Sequence, residues 1–140
     1  MPDENIIIEA NSNFHHVSGE NILDRTDERF REYRRNWKQW PESFHVGEFP
    51  LFIDVEATSA CNLKCPFCAT TYRGDEIPKG FMPFDTLKKI VDEGADNGLC
   101  GIKLNIRGEP LLHREIDRFV AYANDKGLID VYFNTNAMLM

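Results

Sequence analysis

No run of apolar residues in this 140-residue chain approaches the roughly 20 needed to cross a membrane. The opening Met1-Pro2-Asp3-Glu4-Asn5 lacks the basic and apolar regions of a secretory signal. Positive charge is not in excess either. Sixteen Lys and Arg face twenty-three Asp and Glu, a net charge of −7. That argues against nucleic acid as a partner, because phosphate contact requires clustered cations. Internal repeats and low-complexity tracts are absent, and 42% apolar content excludes wholesale disorder. Cysteine is scarce, at four residues, and is not spread through the chain as in a secreted disulfide scaffold. What is left is a soluble, cytoplasmic protein of one domain, long enough to bury about two-thirds of its unfolded surface.

The first half of the chain is sparing with signals. Residues 1–23 are polar and irregular, apart from Ile6-Ile7-Ile8, a candidate edge strand. His15-His16 finds no third ligand type at a suitable spacing and reads as a solvated loop. Asp24 or Thr26 caps a helix over about 24–39, which Pro41 closes. Phe30, Tyr33, Trp37 and Trp40 share one face of it. Arg29, Arg31, Arg34, Arg35 and Lys38 crowd the rest, a docking face or, more simply, the mixed-charge exterior of a peripheral helix.

From residue 51 onward the pattern becomes strand, loop, helix, strand, loop, helix, strand. Residues 51–57, 102–107 and 129–134 alternate as strands do. Phe84, Leu87, Ile90 and Val91 mark one helix, ended by Asn97-Gly98. Ile116, Phe119, Val120 and Ala123 mark another, with Gly127 as its C-terminal cap. This is βαβαβ, hence a parallel sheet with right-handed crossovers. One strand parity (Leu51, Ile53, Val55, Ile102, Leu104, Ile106, Ile129, Val131, Phe133) is apolar and packs beneath the helices. The other carries Asp54, Glu56, Lys103, Asn105, Arg107, Asp130, Tyr132 and Asn134. A doubly wound sheet buries both faces, so a polar face suits the wet lumen of a partly open β/α barrel, or a sheet covered on one side only.

Three of the four cysteines, Cys61, Cys65 and Cys68, fall on the loop after the first strand. That is the end at which β/α proteins place their chemistry. Their spacing lets three sulfurs converge on one polynuclear centre. An iron–sulfur cubane takes four cysteines, and supplying three leaves one iron open, as catalytic zinc keeps an open position. Two other readings stand beside this one. A structural zinc site would take Cys100 or His113 as fourth ligand, and Cys65-Pro66-Phe67-Cys68 has the form of a dithiol redox motif. Cys100 itself reads as a small buried hydrophobe.

The stretch Thr58 to Cys68, with Phe67 before the last cysteine, resembles the signature of the radical S-adenosylmethionine enzymes. After the second strand, Arg107-Gly108-Glu109-Pro110 resembles that family's Gly-Gly-Glu-Pro segment. The likeness covers residues 50–140. It implies the first half (βαβαβ) of a partial (β/α)6 TIM-like barrel; residues 1–49, which show nothing of the likeness, read as an N-terminal helical extension before it. It implies a 4Fe–4S cluster held by Cys61, Cys65 and Cys68, with S-adenosyl-L-methionine on the open iron. Glu109, flanked by Gly108 and Pro110, would meet the methionine amino group, and Phe67 would pack near the cluster and offer its backbone to the adenine. Asn134 and Asn136 are placed to touch cofactor or substrate, or to act as ordinary turn and cap residues.

The implied activity is oxygen-sensitive reductive cleavage to a 5′-deoxyadenosyl radical, fed by a one-electron donor such as flavodoxin or ferredoxin. The polar lumen face suits a polar substrate, whether in peptide or protein modification or in cofactor, sugar or nucleoside biosynthesis. The competing class is a non-catalytic structural zinc-binding module. Two departures stand out. Arg107 replaces the family's first glycine, to pair with a ligand carboxylate or with Glu56 or Asp54. And three strands are half the family's barrel, so the chain reads as truncated and inactive alone.

Overall fold

A computed structural model describes residues 28–74 and 76–140. The expectations for Ile6-Ile7-Ile8, His15-His16 and the Asp24 or Thr26 cap lie outside the described residues. The first helix, α1 (Glu28–Glu42), runs through Pro41 rather than ending before it. Proline has no N–H for the carbonyl four residues back, and the helix closes directly after it, at Glu42, by other donors. The Ser43 N–H and hydroxyl both reach Gln39 O, at 3.0 and 2.8 Å. Phe44 then turns left-handed (φ 55°), with its N–H on Pro41 O and the His45 N–H on Trp40 O. This is the Schellman pattern, with phenylalanine where glycine is usual.

Three short strands follow, β1 (Phe52–Asp54), β2 (Gly101–Lys103) and β3 (Asp130–Tyr132), in the order β1-β2-β3 and all parallel. Phe52, Gly101 and Asp130 stand in register across the sheet. Between β1 and β2 lie the short α2 (Ala69–Tyr72), which sequence periodicity gave no sign of, and α3 (Phe84–Asp96). Between β2 and β3 come a 3-10 turn (Pro110–Leu112) and α4 (Ile116–Asp125). Gly98 and Gly127 take φ of 86° and 85° just past the two long helices, the left-handed stop that glycine allows without penalty.

The strands are shorter than the alternation suggests because side chains take over the ladder. The Asn134 N–H donates to Asn105 Oδ1 (2.9 Å), and the Arg107 N–H donates to Glu56 Oε2 (3.2 Å). Ile106, read as a core position, therefore falls in the loop and is 58% exposed.

Most of the remaining apolar parity packs as expected, Leu51 and Ile129 standing outside the central cluster. Val55, Ile102 and Leu104 meet Leu87, Val91, Phe119 and Ala123 in one buried cluster, with Ile53, Val131 and Phe133 against it. The opposite face is not wholly polar. At its N-terminal end α1 lies across it: Trp37 meets Phe52 (ring centroids 5.0 Å), and Phe52 stacks on Tyr132 (5.8 Å). Tyr33, 2% exposed, donates its hydroxyl to Asp130 (2.9 Å). A side chain on Gly101 would strike Phe52 and Asp130, so the glycine lets both close over β2. The basic residues of α1 answer to their neighbours. Arg31 and Arg35 pair with Glu28, and Arg34 lies over Tyr33 and Trp37.

Candidate functional site

The C-terminal ends of the three strands converge on one residue, Glu109. Glu109, 2% exposed, accepts three hydrogen bonds: from the Leu111 N–H (3.0 Å) and the Thr135 hydroxyl (2.6 Å) on Oε1, and from the Asn136 N–H (2.8 Å) on Oε2. Burial alone would push its pKa up, but the donors, Asn136 first, outweigh burial and hold it below the usual carboxylate value. Its own N–H donates to Ala60 O (2.8 Å), the residue before Cys61. Glu109 thus joins the cysteine loop after β1, the turn after β2 and the exit of β3.

Gly108 makes that approach possible. It sits at φ 73°, and a Cβ there would lie 2.2 Å from Thr58 O and 2.8 Å from Ala60 O. Pro110 opens the 3-10 turn behind it, where a missing N–H costs nothing. On its other side the cysteine loop is pinned to residues 78–82. Thr58 Oγ1 donates to Gly80 O (2.7 Å), Ser59 Oγ to Pro78 O (2.8 Å), and the Met82 N–H to Ala57 O (2.8 Å). The Thr135 and Asn62 contributions carry no signal in periodicity or spacing, and only the fold brings them in.

Cys61, Cys65 and Cys68 are free and half-buried on this loop. The Cys68 N–H closes a turn onto Cys65 O (3.0 Å). Cys68 precedes α2, and the Thr70 hydroxyl, 3.0 Å from its sulfur, heads the contacts that lower the thiol's pKa. Among the described residues, no three Cys, His, Asp or Glu side chains are already gathered tightly enough to grip an ion. The donor chemistry is nevertheless one-sided. Three soft thiols share a single loop at the strand ends, which suits iron–sulfur chemistry. Phe67 is 86% exposed at the loop's tip.

Neither candidate fourth zinc ligand is at hand. Cys100 precedes β2 and bonds beside Leu51, so it lies at the opposite end of the sheet. Burial raises its thiol's pKa. His113, 5% exposed, has both ring nitrogens engaged: Nδ1 accepts the Glu115 N–H (3.1 Å), so Nε2 donates to Met82 O (2.9 Å).

The polar strand face pairs within itself. Arg107 grips Glu56 with two donors, Nε at 2.7 Å and a terminal nitrogen at 2.8 Å, and Lys103 stands 3.7 Å from Asp54. Asn134 is exposed at the end of β3, and its backbone is held by Asn105. The Asn136 amide bonds Asn62 (2.8 Å) and the Met138 N–H (3.0 Å).

A family model described as the Radical SAM superfamily matches residues 55–140. Among curated proteins, the probable GTP 3′,8-cyclase of Methanococcus maripaludis (strain S2) is 34% identical over 86 residues, covering 61% of this chain and 28% of that protein. The GTP 3′,8-cyclase of Campylobacter curvus is 30% identical over 96 residues, covering 67% of this chain and 30% of that one. The chain therefore spans under a third of the length of these relatives. Among solved structures, BtrN in complex with AdoMet and 2-DOIA superposes with a TM-score of 0.58 at 22% identity, covering 68% of this chain and 39% of that one. At that identity the likeness speaks to the fold alone: β1-α3-β2-α4-β3 is the beginning of a TIM-like barrel.

Proposed function

This chain belongs to the radical SAM superfamily, whose members work with a 4Fe–4S cluster and S-adenosyl-L-methionine, and from that premise we propose that Cys61, Cys65 and Cys68 hold the cluster of a radical SAM enzyme acting on a polar substrate. When bound, the reduced cluster and S-adenosylmethionine supply a 5′-deoxyadenosyl radical able to take a hydrogen atom from substrate, while the protein contributes binding, orientation and exclusion of water. The observation that carries the reading is the convergence on Glu109 of the cysteine loop, the Gly108-Glu109-Pro110 turn and the β3 exit.

Each residue has its part in this reading. The three cysteines provide thiolates and leave one iron for the cofactor. Glu109 stays ionised beneath the loop. It accepts three bonds and has room by count for about one more, which suits the ammonium of the methionine moiety. Phe67, at the exposed tip, packs near the cluster and offers its backbone to the adenine, and Asn134 faces ligand from the end of β3. Lys103, Arg107, Asp54 and Glu56 present paired charges along the lumen, which favours a substrate rich in hydrogen-bonding groups. The GTP 3′,8-cyclase relatives agree with such a substrate. Flavodoxin or ferredoxin serves as the one-electron donor. Residues 1–49 form an extension to the core domain that begins near residue 50.

The test is anaerobic reconstitution with iron and sulfide, followed by electron paramagnetic resonance of the reduced protein with and without S-adenosylmethionine. A cubane signal that shifts on adding the cofactor is expected, and is lost when any one of Cys61, Cys65 or Cys68 is changed to Ala. A colourless protein that takes up zinc and ignores the cofactor would overturn the reading.

A further inference from the structure

Among the described residues, Cys61 is the one cysteine of the three whose chain neighbours on both sides are tied to other strand ends. Ala60, before it, accepts the Glu109 N–H from the turn after β2 (2.8 Å). Asn62, after it, accepts the Asn136 side-chain amide from the exit of β3, at 2.8 Å and 74 residues away in sequence.

The second tie is well defined. Asn136 Oδ1 already accepts the Met138 N–H (3.0 Å), so the nitrogen of that amide is the atom left to face Asn62. The Asn136 backbone is fixed in turn by its N–H on Glu109 Oε2 (2.8 Å). Asn62 is exposed, so the pair does not serve to satisfy a buried polar group.

We propose that Asn62 and Asn136 are positioning residues for Cys61, the β3 exit holding the first cysteine of the loop in place through the Asn136–Asn62 hydrogen bond. The proposal rests on the reading of Cys61 as an iron ligand. The physical reason is entropic. A loop carrying three thiols must be ordered before they can share a cluster, and every residue already fixed lowers what ordering costs at loading. Cys65 and Cys68 lean on local bonds, a turn and the Thr70 hydroxyl. Cys61 has one local contact of its own, the Leu63 N–H on its sulfur (3.5 Å), and is in addition registered against the other two strands. In this arrangement β3, which supplies no cysteine, sets where the cluster's first ligand sits.

The test uses the full chain, reconstituted anaerobically, and reads iron and sulfide per chain together with the rate at which EDTA bleaches the chromophore. Asn62→Ala and Asn136→Ala should each speed bleaching by about two- to tenfold, the range of one partly exposed hydrogen bond. The double variant should be no faster than the quicker single one, because both changes remove the same bond. Asn62→Asp keeps an acceptor for the Asn136 amide and should bleach at the unaltered rate. If Asn136→Ala fails to fold, Asn62→Ala on the exposed loop still decides the matter. Unchanged bleaching in Asn62→Ala, or effects that add in the double variant, would overturn the positioning role. Cys61→Ala separates that failure from a failure of the site reading: normal loading in this variant would sink the cluster assignment itself.

Discussion

At Gly108 a single missing methyl group decides how closely two loops can approach. With φ at 73° and Thr58 O only 2.2 Å from where a Cβ would stand, Gly108→Ala combines left-handed strain with a backbone collision. It is expected to cost about 1–3 kcal/mol for the strain alone, with further loss from the displaced cysteine loop. Denaturant unfolding of the unloaded chain measures the first, and cluster content after reconstitution the second. Glu109→Gln tests the neighbouring carboxylate. All three groups that face Glu109 are donors, so an amide NH2 must turn toward one of them. A loss of about 1–3 kcal/mol follows, and stability equal to that of the unaltered chain would contradict the description of Glu109 as the joint between loops. Arg107 was legible only as an oddity, an arginine at a glycine position. Its backbone is not among the described non-glycine residues with positive φ, so nothing there demands glycine, and of the two protein carboxylates weighed for it beside a ligand's, the structure shows Glu56.

Elements respond through their anchors, and α1 has one that titrates. Burial, followed by the bond to the Asp130 carboxylate, raises the Tyr33 pKa well above its ordinary value of 10.0. A group whose pKa is raised on folding stabilises the fold fully below its unfolded value and loses that contribution as pH climbs past it. Stability should therefore fall above about pH 10, and Tyr33→Phe should flatten that alkaline limb. At neutral pH the same change is expected to cost about 1.5–3 kcal/mol, as for a hydrogen bond to a charged group. Thermal unfolding from pH 7 to 11 follows both effects. The aromatic face of this helix was legible from its spacing, and so were the stops of α3 and α4 at Gly98 and Gly127. What the aromatics meet was not. Phe52 and Asp130 stand 15 and 97 residues from their partners Trp37 and Tyr33, and no local pattern records a contact of that kind. The strand ends were overestimated for a related reason, since alternation continues in sequence after side chains such as Asn105 have replaced the ladder.

For the whole molecule, the parallel sheet has two ends with separate duties. α1 covers the N-terminal end of its polar face, and the joined loops occupy the other. The order of the strands and of α3 and α4, most of the core and the place of the cysteine loop were readable in advance, because periodicity and a dense motif are local. The knitting of the loops by Glu109, Thr135 and Asn136 was not, because it depends on strand register. Among the described residues β3 has a strand neighbour on one side only. The 140-residue chain should thus associate through that edge, which light scattering across a concentration series would show as rising mass; a monomer throughout would argue that the edge is shielded. The division of ends also bears on labelling. Cys100 sits at the far end of the sheet from the other three cysteines, with its thiol dulled by burial. With those three occupied by iron, as proposed, an alkylating reagent should find one slow sulfhydryl per chain, and a fluorophore or spin probe attached there would report from a fixed distance on what happens at the opposite rim.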